Sequence, residues 1–418
     1  MSDDVTVPPP IAWPALPESV RSARWWRRTL SLLLIAALTA YVVAFAGRVY
    51  ARKYYVFLPD YLRGAIHGVT AGTVSGPTHV FVLMTDHFEP DYDAVKVEDW
   101  ARRYAALAAR HRDSVGRPPQ HTFFYPGEQS SPAIYTTLQT MTRAGLGEVE
   151  LHYHHHYDTS DTLLPKLVDA VAEFQKYGFL RGTDGRTQFA FIHGNSGLDN
   201  SNGDEMCGVT DEIRMLRGLG CFADFTFPSL FEDSQPRHVN SIYAARDDDG
   251  PKSYDRRMPL TALRDGSADL MIFQGPLIFS PSTNLRHLFL DLDDGDIHGA
   301  EHASPARVDH WIRANVHVPE RPDWVFVKLF AHGISTPEDA EACLGEDFSD
   351  ALSHLEHAYN DGRRYVLHYI TAREAYNLAR AAAEGATGEP QQYLDAYAGP
   401  YQANICVRPA PSSAATRP

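Results

Sequence analysis

Eight short apolar runs between His79 and Ile370 constrain this chain more than any other feature: HVFVLM, HTFFY, EVELH, QFAFIH, CFADFTF, LMIF, DWVFVKLF and YVLHYI. Each is too short for a buried helix, whose apolar pattern needs at least about ten residues, and has the length of a buried strand. Amphipathic helical patterns lie between them. In one, Leu164, Leu167, Val168, Val171 and Phe174 recur at helical spacing, with Pro165 in the first turn and Gly178 at the end. Others open at Ser304 and Pro305 and at Thr371. Strand and helix in alternation predict α/β architecture with a mainly parallel sheet. Seven or eight such units over residues 77–387 predict a (β/α)7-8 barrel, closed or incomplete and distorted, rather than an open sheet with two exposed edges. No internal repeat is present. Residues 240–299, rich in Asp, Gly and Pro, read as inserted loops with short hairpins, and residues 388–418 as a loose C-terminal tail.

Ahead of the barrel, residues 29–47 (TLSLLLIAALTAYVVAFAG) carry no charge. At 1.5 Å per residue about 19 residues approach the ~30 Å of a bilayer core, which predicts one transmembrane helix. Trp25 and Trp26 before it and Tyr50, Tyr54 and Tyr55 after it suit the two interfaces. A cleaved signal peptide is disfavoured, because the run exceeds a usual signal core and no small-residue cleavage site follows. The segment therefore divides the chain into a cytoplasmic tail (1–28), a juxtamembrane connector (48–76) and an extracytoplasmic barrel (77–387). The arginines flanking the span bias this orientation only slightly.

The formal charge of −15 excludes a protein that tracks phosphates along nucleic acid, which needs clustered Lys and Arg. The four cysteines, Cys207, Cys221, Cys343 and Cys406, form no CxxC pair, so no thiolate metal site is expected. Cys207 with Cys221 is an open disulfide pairing in an oxidising compartment.

The chemistry gathers where apolar runs end. FVLMTDHFEP ends in Asp86, His87 and Glu89; GEVELHYHHH carries His152, His154, His155 and His156; QFAFIHGN ends in His193 and Asn195; VFVKLFAHG ends in His332. One histidine closing a strand is ordinary, but four in a barrel whose strand ends converge on one face point to a site. Imidazole and carboxylate without thiolate suit Zn²⁺ or another divalent first-row cation. Were HYHHH extended, His152 and His156 would stand about 13 Å apart at ~3.3 Å per residue, too far to share an ion. If the chain coils after His152, positions i and i+4 approach to about 5–6 Å, and His152 with His156 become the expected ligand pair. His154 and His155 remain substitutes for His156.

At these residues the chain resembles the polysaccharide deacetylase superfamily of carbohydrate esterases, over roughly His79 to Gly385. Its first motif ends a strand with two acids, one a base and one a metal ligand; here LMTDHFEP places Asp86 at the first and His87 at the second. The ligand from this motif is then Asp86, His87 or Glu89. The second motif matches GEVELHYHHH, with His152 and His156 at ligand positions and Tyr153 where a hydroxyl residue belongs. The last motif, an apolar strand ending in a general-acid histidine, matches WVFVKLFAHG with His332. No counterpart of the family's arginine motif is present. HGNSGLDNS and GCFADFTFPS resemble a membrane-anchored bacterial branch with this barrel, a likeness that implies no activity.

The resemblance implies a metal held by His152, His156 and Asp86 or His87, with Asp86 as base and His332 as acid, on an acyl group of a polysaccharide. His193, Asn195 and Asp199 are candidate substrate contacts, since amides and carboxylates bind sugar hydroxyls; an Asx-rich turn explains the last two equally. His368 reads as core. The expected function is removal of N- or O-acetyl groups from an envelope or exported polysaccharide. A glycoside hydrolase would instead need two carboxylates ~5–9.5 Å apart and no metal. A non-catalytic polysaccharide-binding export component is the third reading.

Overall fold

The computed structural model describes residues 18–70, 76–282, 287–288 and 290–407. Ten α-helices are present among them: α1 Glu18–Ala51, α2 Leu58–Thr70, α3 Ala94–Ala108, α4 Pro132–Arg143, α5 Ser160–Lys176, α6 Glu212–Leu219, α7 Pro305–Ala314, α8 Pro337–Leu344, α9 Glu346–Ala358 and α10 Ala372–Ala383. The strands are β1 Thr78–His87, β2 His121–Pro126, β3 Gly147–Tyr153, β4 Phe189–His193, β5 Cys221–Asp224, β6 Ser241–Ala245, β7 Leu270–Gln274, β8 Ile278–Pro281, β9 Leu290–Asp293, β10 Asp296–Ile297, β11 His317–Val318, β12 Arg321–Ala331 and β13 Tyr365–Tyr369. All eight apolar runs are strands.

Nine strands close a barrel in the order β1-β2-β3-β4-β5-β7-β6-β11-β12, with β12 returning to β1 in parallel from His79↔Trp324 to Asp86↔Ala331. The ring is mainly parallel, as expected, but is not a regular (β/α)7-8 barrel. β6 runs antiparallel to β7 and β11 antiparallel to β12. The reason is connection: the chain leaves β5 at one end of the barrel and starts β6 at that same end, so β6 must run back. β11 has only two residues, and β6 lies in the segment that reads as loop.

β1 is buried on both faces from Val80 onward, and its alternation separates two cores. Val80, Val82 and Met84 pack outward with Phe123, Leu151 and Phe191 beneath the helices, while Phe81 and Leu83 face Phe124, Ile192 and Phe326 inside the barrel. One edge of β1 is shared: β13 pairs with its first half and β2 with its second. After β13 the chain therefore turns inward, and α10, buried along nearly its whole length, packs on Phe81, Phe222 and Trp324 and fills the barrel at the strand starts.

The expected loose tail is packed at least to Ala403. Inward-facing Glu148 and Glu150 of β3 need partners in a dry interior. Arg373 forks onto Glu148 at 2.7 and 3.0 Å, and Tyr401 donates to Glu150 at 2.6 Å. Asn377 fixes the segment through Ala398 and Leu394. The part of that tail at 408–418 lies outside the described residues.

At the other end of the chain, α1 starts at Glu18, so the expected boundary at residue 29 falls inside it; the tail over 1–17 lies outside the described residues. Trp25–Ala51 is long and apolar enough to cross a membrane. After it, Tyr54 and Phe57 are buried against Val239 and Leu277, so the connector is docked on the barrel.

Candidate metal centre at the barrel mouth

The strand ends gather histidines as expected, in a different combination. His87 has the inward parity of Phe81 and Leu83, and His152 that of Glu148 and Glu150, so both rings turn to the mouth, 4.9 Å apart between centroids. β3 ends at Tyr153 and the chain turns. His154 then comes to 4.6 Å from the His152 ring and gives Nδ1 to Glu128 at 2.5 Å. Gly194 lies under that ring: a Cβ there would fall 2.3 Å from His154 Cδ2. His332, exposed, follows β12 and sits 4.4 Å from the His87 ring.

Glu89 joins these groups. Its Oε1 lies 2.9 Å from His152 Nε2, 3.7 Å from His154 Nε2 and 4.0 Å from His87 Nδ1. Two triads result, His87–Glu89–His332 and Glu89–His152–His154, each with donor atoms within 4.8 Å of one another and sharing only Glu89. Donors around one tetrahedral ion with ~2.0–2.3 Å bonds stand about 3.3–3.7 Å apart, so the spacing suits a divalent cation. His87 Nδ1 and His152 Nε2 are buried without a hydrogen-bond partner, the 2.9 Å approach to Glu89 lacking hydrogen-bond geometry. Buried polar atoms are seldom left so, and these orphans are the atoms that would ligate. Burial holds His87 well below, and His152 below, the usual imidazole range, so both offer lone pairs. On Glu89 burial acts upward, yet the closeness of His152, His154 and His332 brings its pKa down, keeping it anionic.

Asp86 takes no part at the mouth. Its parity points it outward, where it is fully buried, accepting from Gly333 N at 2.8 Å and meeting His121 Nε2 at 2.9 Å. It thereby fixes the turn that presents His332. A Cβ on Gly333 would lie 2.8 Å from Asp86 Oδ2, so only glycine permits this approach. The ligand pair expected at His152 and His156 is not assembled either, for His156 is exposed and donates Nδ1–H to Glu205 O at 2.9 Å. The chain coils after His152 through a turn, not a helical one, and His154 takes the place intended for His156.

His155 and His193 enter a second, closed cluster on the outer side of β4. His155, His193, Cys207 and Glu212, all buried, bring donor atoms within 4.8 Å and can hold an ion. Cys207 there departs from the expectation of no thiol donor; Cys207 and Cys221 are both free, not paired. Glu212 accepts from Asp199 N at 2.7 Å and lies 3.1 Å from His155 Nε2. His193 Nδ1 accepts the amides of Asn195 and Gly197 at 3.2 and 3.3 Å, which leaves its neutral-ring proton on Nε2 facing Glu212. Without an ion the cluster is a hydrogen-bond hub. Asn195 ties His155 O to this loop, and buried Asp199 accepts Ser253 N at 2.6 Å, its pKa pushed up to about 8 by burial. These three expected substrate contacts therefore hold a loop and do not line the mouth.

Beneath the mouth, fully buried Lys328 donates to Phe225 O at 3.2 Å, its pKa brought to about 7 by burial. At the opposite end a cavity lined by Arg117, Glu148, Arg373 and Glu374 is neutralised internally, Arg117 meeting Glu374 at 2.7 Å. Cys207, Glu212, Glu128 and Lys328 escape sequence reading because none ends a strand beside another candidate. Compared with protein-family models and with curated proteins, the chain has no match.

Proposed function

We propose that the protein is a membrane-anchored, metal-dependent hydrolase that removes N- or O-acetyl groups from a saccharide, with α1 crossing a bacterial cytoplasmic membrane and the barrel outside. The observation that carries this is the pair of triads sharing Glu89, with orphaned buried His87 Nδ1 and His152 Nε2 and an open side at exposed His332. Catalytic metal sites keep such an open position; structural ones are closed.

A divalent cation there, Zn²⁺ above all, would supply Lewis acidity toward an acyl carbonyl and toward water. The chain's own residues do the rest. Glu89 supplies the anionic donor common to both triads. Glu128, on Nδ1 of His154, sets the ring so that Nε2 faces Glu89. His332 is placed to pass a proton to the departing sugar oxygen or amine. The resemblance to polysaccharide deacetylases supports this reading through His152 and His332, while the base it implies at Asp86 is dropped. A non-catalytic saccharide-binding component remains the second reading, favoured by the burial of Asp86 away from the mouth.

The test is metal content and acetate release from acetylated glycans by the full chain. His152→Ala is expected to abolish both, and His332→Ala to retain metal through Glu89, His152 and His154 while kcat falls ~10²–10⁴-fold. Release that survives chelation or His152→Ala would sink the hydrolase; stoichiometric metal with no release would favour the binder.

A further inference from the structure

We infer that the mouth of the barrel faces the bilayer and that the substrate is an acylated saccharide headgroup carried on a lipid. The substrate half of this rests on the hydrolase reading; the orientation does not. The anchor is docked on one end of the barrel, and it is the end that holds the histidines. Tyr54 and Phe57 are buried against Val239, which precedes β6 beside the last residue of β7, and Leu277, which follows β7. Polar contacts latch the same loops: Lys53 with Asp233 at 2.8 Å, Val239 N onto Asp60 at 3.2 Å, Phe279 N onto Tyr61 Oη at 3.1 Å, and the Arg52 guanidinium over Phe231 at 4.6 Å. All these loop residues lie beyond the carboxyl ends of β5 and β7, level with His87, His152 and His332.

A second contact gives the direction of the helix. Tyr41, in the middle of the apolar span, donates its hydroxyl to Leu288 O at 3.1 Å, beyond β8 and ahead of β9. Ten residues of helix separate Tyr41 from Ala51, so this part of the β8–β9 segment lies about 15 Å along the apolar span at 1.5 Å per residue. It is therefore at lipid depth. The same segment continues from β9 into β10, whose Asp296 and Ile297 pair with Phe330 and Ala331, the residues just before His332. Lipid-level chain and mouth rim are one stretch of polypeptide. At the other end of the barrel α10 and the packed C-terminal segment fill the interior, so the centre is approached from the membrane side. Tyr50 and Tyr55, exposed at the junction, are the residue type that settles at a lipid headgroup layer.

The test uses the full chain in phosphatidylcholine–phosphatidylglycerol vesicles, with a fluorophore on Ser282→Cys or on Arg363→Cys, which precedes β13 at the far end. Both are made on a Cys406→Ser background, the other three cysteines being buried. Lipids brominated on their acyl chains are expected to quench the label at 282 and not that at 363; equal or reversed quenching overturns the orientation. Acetate release is then compared for an acetylated glycolipid in the vesicles and its headgroup free in solution. A kcat/KM at least about tenfold higher for the glycolipid is expected from its confinement at the surface. Equal values overturn the substrate assignment. No release from either, with quenching as expected, removes the hydrolase and the substrate assignment while the orientation stands.

Discussion

Asp86 and His87 are neighbours in sequence and face opposite sides of β1, which divides their work. His87 meets whatever occupies the mouth, and Asp86 holds the Gly333 amide so that His332 reaches it. Asp86→Ala leaves that amide and His121 unpaired in a dry interior, at a cost of about 1–3 kcal/mol for each unsatisfied group. We expect a lower Tm and slower acetate release with metal content unchanged. Glu89→Gln, by contrast, is expected to lower metal content at constant Tm, because Glu89 is partly exposed and shared by both triads. Counting alternation from Phe81 and Leu83 places His87 inward and Asp86 outward, so this much of the site is legible in the sequence. The choice of His154 over His155 and His156, left open by the sequence, depends on a turn at Tyr153 shaped by Glu128 and Gly194, distant in the chain.

Among the elements, the eight apolar runs announce themselves because both faces of a parallel strand are buried. β6 and β11 do not, because β6 (SIYAA) has little apolar bulk and lies among turn residues and β11 has only two residues, so neither the ninefold ring nor its antiparallel pairs can be read beforehand. α10 is legible as a helix from Thr371, whose side chain and that of Glu374 form a capping box. Its place inside the barrel follows only from β2 taking over the edge of β1 at Met84. Arg373→Met removes one partner of a buried pair with Glu148 and is expected to destabilise the fold by ~3–5 kcal/mol in chemical denaturation. Deletion from residue 388 strips Tyr401 from Glu150, and the truncated chain should lose cooperative unfolding, which calorimetry would register.

For the molecule as a whole, acid sensitivity follows from buried imidazoles. Burial brings His368 to about 3, where its Nε2 pairs with His79 Nδ1 at 2.9 Å. As pH falls from about 6.5, the unfolded chain takes up a proton that the folded chain refuses, so stability is lost progressively toward pH ~3 and is unaffected above the unfolded value. His368→Gln should flatten that limb in a series of Tm measurements.

The seam between β1 and β12 has a consequence for biogenesis. Its partners, His79 and Trp324 among them, are about 245 residues apart, and α10, which fills the interior, comes later still. Such distant pairing is slow to form, since loop closure precedes any gain from contact. A nascent chain can pair the later half of β1 with β2 early, but leaves the edge that takes β12 open until nearly all the protein has been made. Stalled at residue 331 it should be protease-sensitive throughout, and gain resistance only when residues 372–404 have emerged. The barrel is thus completed from its last-made part, which closes on the strand made first.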